Sequence, residues 1–138
     1  MKVYLGKYPR RILGVMIKQI EYVKIDPWDT WSMDHTLASI ILPMLKQLKE
    51  TKHGAPLVDM EDRPEDLRAD KPADHNTDEF HFQAWDWALD EMIYAFDCKA
   101  NKDDVWFRID SREEIDAEQN RISNGFRLFG KYYEALWD

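Results

Sequence analysis

Residues 80–98, FHFQAWDWALDEMIYAFDC, decide how the rest of the chain is read. Trp85, Ala88, Leu89, Met92, Ala95 and Phe96 recur three and four residues apart, the spacing of one buried helix face. Thr77 or Asp78 can cap the start of that helix. The same periodicity returns over 33–52, through Met33, Leu37, Ile40, Ile41, Met44, Leu45 and Leu48. It returns again over 115–137, through Ile115, Ile122, Phe126, Phe129, Tyr133 and Leu136. Three amphipathic helices must close their apolar faces on one another, so the expected fold is mainly α (α+β), with three principal packed helices.

Around these helices the pattern changes. Residues 1–7 alternate weakly, and 21–26 (EYVKID) are β-branched and aromatic enough to pair with them as a strand. Residues 105–110 (VWFRID) make a third candidate strand, giving a small two- or three-stranded β element. Arg11–Lys18 fits either a helical turn or a strand. Ser32 can cap the first helix, and Pro43 inside it removes an amide donor and predicts a kink. Gly125 and Gly130 lower helix propensity in the last helix, and Asn124-Gly125 is a candidate break. Residues 55–76 are rich in Asp, Glu and Pro without sustained periodicity, and read as a solvated, mobile acidic loop.

With 138 residues, 44% of them hydrophobic and 13% aromatic, the chain is long and apolar enough for one packed domain, residues 1–138. Its net charge of −8 disfavours direct binding to nucleic-acid phosphates. A single cysteine, Cys98, excludes an intrachain disulfide framework and suits a reducing cytoplasm. The apolar run after Arg10 and Arg11 is short, and Gly14 breaks it. Neither a signal sequence nor a membrane span is expected. The expected location is the cytoplasm.

Several polar groups bear on function. Trp28 and Trp31 lie among Asp26, Asp29, Asp34 and His35 at a strand-to-helix junction, where capping and packing compete with ligand binding as explanations. Trp87 and Tyr94 fall on the acidic side of the middle helix, with Asp86, Asp90 and Asp97, and predict contact with a ligand, a partner or another part of the chain. Asn124, Arg127 and Lys131 line one flank of the last helix, either as solvated charge or as a clamp for phosphate. Asp34, His35, Asp86 and Asp90 offer oxygen and nitrogen donors for a divalent metal, Mg or Mn, if the first two helices bring them together. Only Asp86/Asp90 supplies a carboxylate pair at helical spacing. No phosphate-binding loop, dinucleotide fingerprint, HExxH or paired-cysteine zinc pattern is present.

Three segments, DTWSMDHTLASIILPMLKQLKETKHGAP (29–56), WDWALDEMIYAF (85–96) and RISNGFRLFGKYYEALWD (121–138), resemble a group of small proteins in tailed-phage and environmental viral sequences. The N-terminal region and the stretch between Cys98 and Arg121 look shorter than in those sequences. The resemblance implies a viral accessory protein and carries no catalytic residue with it. The expected function is therefore non-enzymatic: a module that binds a host or phage protein, or itself, without a cofactor or a membrane. One alternative is a nucleotide-binding or metal-dependent nucleotide-hydrolysing helical protein. A second is an acidic mimic of nucleic acid.

Overall fold

The computed structural model describes residues 1–5, 10–18, 21–69, 77–101 and 111–137. The candidate strand 105–110 and the end of the acidic segment, 70–76, lie outside them. Within the described residues the chain forms four short strands, β1 (Lys2–Leu5), β2 (Arg10–Ile12), β3 (Val15–Ile17) and β4 (Glu21–Lys24). Three helices follow, α1 (Met33–Thr51), α2 (His81–Asn101) and α3 (Arg112–Lys131). The mainly helical fold with a small β element is the one the sequence predicts. Internal contacts gather the residues into two compact units, 1–36 and 37–138.

In the first unit β1 pairs antiparallel with β4, Val3 opposite Val23 and Tyr4 opposite Tyr22. The ambiguous stretch after Pro9 resolves as a hairpin, with Arg10 opposite Ile17, Arg11 opposite Met16 and Ile12 opposite Val15. Its two-residue loop is Leu13-Gly14, with φ of 49° and 81°. Hairpin loops of this length favour positive φ because it matches the twist of the strands, but leucine adopts it at a steric cost. Leu13 is 99% exposed, so nothing in the fold repays that strain. Leu13→Asn should stabilise the hairpin by about 0.5–1 kcal/mol. Hydrogen exchange at the Ile12 and Ile17 amides should slow correspondingly; unchanged or faster exchange would refute it.

The second unit is built around α2. Ala84, Trp85, Ala88, Leu89, Met92 and Ala95 are fully buried and Phe96 nearly so, as their spacing predicts. Burial of each large side chain contributes about 1.5–3 kcal/mol. Ala38, Leu42 and Leu45 of α1 join this cluster, as do Leu128 and Tyr132 at the end of α3. Edge-to-face contacts fix the aromatic part: Phe96 meets Phe126 at 5.1 Å and Phe129 at 4.8 Å, and Trp85 meets Tyr132 at 6.0 Å.

Two of the expected stripes are rotated. In α1, Leu37 and Met44 are exposed whereas Ala38 and Leu42 are buried. The face that α1 turns to the core is Ala38, Leu42 and Leu45. In α3 the seam runs through Ile122, Gly125, Leu128 and Tyr132, and Tyr133 is exposed. Gly125 explains the rotation: a Cβ there would stand 2.4 Å from the Glu91 carbonyl oxygen, so only glycine permits this approach to α2. The candidate break at Asn124-Gly125 is absent, because α3 is continuous from its Ser111 cap, whose Oγ accepts the Glu114 amide at 3.2 Å. α1 likewise runs through Pro43 as one helix.

The acidic segment departs most from expectation. Val58 is fully buried in the core and Arg63 is 1% exposed. The Arg63 guanidinium donates to the Val58 carbonyl at 2.9 Å and to both Asp78 carboxylate oxygens at 3.0 and 2.9 Å. Asp78 in turn accepts the Phe80 amide at 2.9 Å, at the turn leading into α2. Composition suggested solvation, but the Val58 side chain and ion pairs made by Asp59, Asp62 and Arg63 seat residues 55–69 against the helices.

Candidate interaction surface

Around the tryptophans, local sequence builds a hydrogen-bonded turn. Pro27–Thr30 forms a short 3-10 turn in which the Asp29 amide donates to the Asp26 carbonyl at 3.0 Å. The Asp26 amide donates to the Asp29 carboxylate at 2.7 Å, and the Met1 amine donates to that same group at 3.0 Å. The Asp26 amide, and then the amine, hold the Asp29 carboxyl below its usual pKa. Trp28 and Trp31 project from this turn with ring centroids 5.9 Å apart, and they are 77% and 82% exposed. None of the first-unit residues whose side chains are described is buried. Ile12, Leu13, Val15, Met16, Ile17, Tyr22 and Val23 are exposed there as well.

The other candidate residues of the sequence are used within the fold. Trp87 is half-buried against the main cluster, and Tyr94 packs beside Ala95, Cys98 and Ile122. The Arg121 guanidinium lies 3.7 Å over the Tyr94 ring and chelates Glu91, while the Tyr94 hydroxyl donates to Glu118. That bond to Glu118, with burial added, raises the Tyr94 pKa well above that of a free phenol. The acidic side of α2 is therefore paired with lysines of 46–52 and with Arg121 of α3, while Asp90 stays exposed.

The basic flank of α3 is also occupied. Lys131 reaches Asp59 and Asp62 at 2.7 Å each, Arg127 reaches Asp62 at 2.7 Å, and Asn124 Oδ1 accepts from Arg127. The Tyr132 hydroxyl donates to Asp62 at 2.6 Å and accepts the Asp59 amide at 2.9 Å. Burial, and then the bond to Asp62, push the phenol up to about 12. The phosphate clamp read from the sequence is thus a clamp on residues 59–62 of the same chain.

Asp34 and His35 lie exposed in the first unit. Asp86 and Asp90, in the second, pair with Lys52 and Lys49, and Asp97 pairs with Lys46 at 3.8 Å. Among the described residues no group of three or more His, Cys, Asp or Glu gathers as metal ligands. The i,i+4 spacing that suggested a metal pair serves an antiparallel ladder of lysines and aspartates between α1 and α2. Its partly exposed pairs contribute about 0–1 kcal/mol each. The signal for this ladder was present: Lys46 and Lys49 of α1 and Lys52 just after it repeat as the aspartates do along α2.

No described helix is long and apolar enough to cross a membrane. No family model matches the sequence, and no curated protein or solved structure matches it.

Proposed function

We propose that this chain is a non-enzymatic protein-binding module, of the accessory kind that its resemblance to tailed-phage proteins implies, and that residues 1–36 carry the binding surface. The observation that supports this is the first unit itself, which exposes Trp28 and Trp31 together with Val3, Val15, Met16, Tyr22 and Val23 of its two strand ladders. Two-stranded ladders are marginal in water, and large exposed aromatics are the side chains that anchor protein interfaces. Charge supports a protein partner as well. Residues 1–36 carry six Lys and Arg against four Asp and Glu, in a chain that is otherwise strongly acidic.

The mimic reading gains no support, since Asp59, Asp62, Asp86, Asp90, Glu91 and Asp97 are each matched to a lysine or arginine. The test is affinity capture from bacterial lysate, infected and uninfected, with wild type and with Trp28→Ala/Trp31→Ala. The expected result is a discrete set of proteins retained by the wild type and retained at least about tenfold less by the double variant. Equal retention by both, or no specific retention, overturns the reading.

A further inference from the structure

We propose that β3 is a self-association edge, through which two copies of this chain pair antiparallel about a two-fold axis at Met16. The proposal rests on reading the first unit as an interaction surface, and it names one partner for that surface: a second copy.

The hairpin geometry exposes the edge. In a hairpin closed by two residues the flanking pair, here Ile12 and Val15, exchanges both backbone bonds, and successive pairs alternate. Met16, opposite Arg11, is therefore a pair without ladder bonds, and its N–H and C=O point away from β2. Among the described residues β3 pairs with β2 alone. Val15, Met16 and Ile17 are 65%, 58% and 42% exposed. A short, uncharged, apolar edge of this kind templates pairing with another strand. Lipid cannot satisfy those backbone groups, whereas another strand can.

Register and charge select the second copy and the edge it uses. Three-residue strands overlap fully only when the central residue sits on the axis. Through β3 this sets Met16 opposite Met16, Val15 opposite Ile17, and Gly14 opposite Lys18, so no like charges meet. The two Met16 residues exchange a pair of backbone hydrogen bonds across the axis. Pairing through β2 would instead set Arg11 opposite its own copy, an unfavourable like-charge pair. In the resulting sheet, ordered β2-β3-β3-β2, Ile12, Val15 and Ile17 of both copies share one face, giving six β-branched side chains in contact. Such an isologous contact closes at two subunits.

Light scattering and sedimentation of the full chain test the pairing. The wild type is expected at twice 16.5 kDa at micromolar concentration. Met16→Lys sets two ammonium groups against each other at the axis. Met16→Pro removes the outward N–H, which the hairpin does not use. Both variants should be monomeric with helical circular dichroism unchanged, while Trp28→Ala/Trp31→Ala stays dimeric. A monomeric wild type, or a dimer that survives both Met16 substitutions, overturns the proposal. Lysate capture that depends on the tryptophans would persist in either case, so this failure is separate from failure of the functional reading.

Discussion

Replacing Arg63 with alanine should destabilise the protein by about 4 kcal/mol, the largest single-residue effect expected outside the apolar core. The side chain is fully buried, and its partner Asp78 is nearly so. Truncation leaves a carboxylate out of water with backbone amides but no described cation beside it, and leaves the Val58 carbonyl without its donor. Lysine should rescue little, because one ammonium group cannot reproduce the fork that reaches both Val58 and Asp78. A pH signature separates this from simple loss of packing. In the wild type the Arg63 bond, partly opposed by desolvation, holds Asp78 below the ordinary carboxylate pKa. A depressed folded value means that the stabilisation is fully present above the unfolded pKa of about 3.9 and is lost as pH falls through the folded value. In Arg63→Ala the buried, unpaired carboxyl is pushed upward, and the variant escapes its burden by taking up a proton. Urea unfolding of both proteins at pH 7 and near pH 4 should therefore show the gap narrowing on acidification. A gap below about 1 kcal/mol at pH 7, or one independent of pH, would contradict the role assigned to this pair.

The same pair shows where the sequence stops being informative. The core of α2 is legible because it depends only on spacing along one helix, and Trp85 through Phe96 keep that spacing without interruption. The strand partner of β1 is legible for a similar reason, since β-branched and aromatic residues cluster in 21–24. Arg63 is different. Its partner stands 15 residues away, across a segment whose composition resembles a solvated linker, and no periodicity marks either residue. Tyr132 and Asp62 are farther apart still, at 70 residues, yet they are joined by a hydrogen bond that no sequence pattern announces. Trp28 and Trp31 stand out in the sequence beside Pro27 and two aspartates, and the short turn leaves both exposed. The candidate site was not legible at Arg127 and Lys131, whose partners lie in the acidic segment. A charged helix flank looks the same in sequence whether it faces water, a phosphate, or an oppositely charged segment of its own chain.

Gly125 and Gly130 make an internally controlled experiment, because the same substitution should act in opposite directions at two positions of one helix. Alanine exceeds glycine in helix propensity by about 1 kcal/mol, so on propensity alone both changes are stabilising. At Gly130 a Cβ meets nothing within 4 Å, and Gly130→Ala should raise stability by up to that amount. At Gly125 the same atom would lie 2.4 Å from the Glu91 carbonyl oxygen and 2.6 Å from the Ala95 Cβ. Neither neighbour can swing aside, since one belongs to the α2 backbone and the other is fixed to it. The helices must separate, loosening Ile122, Leu128 and the Phe96–Phe126 contact, all of which depend on the same close approach. Overpacking of this kind costs about 3 kcal/mol, enough to reverse the gain from propensity. Thermal and urea unfolding of the two variants should bracket the wild type, Gly130→Ala above it and Gly125→Ala well below. If Gly125→Ala matched or exceeded the wild type, α2 and α3 would not touch at this glycine, and the rotation of α3 that buries Tyr132 would need another cause.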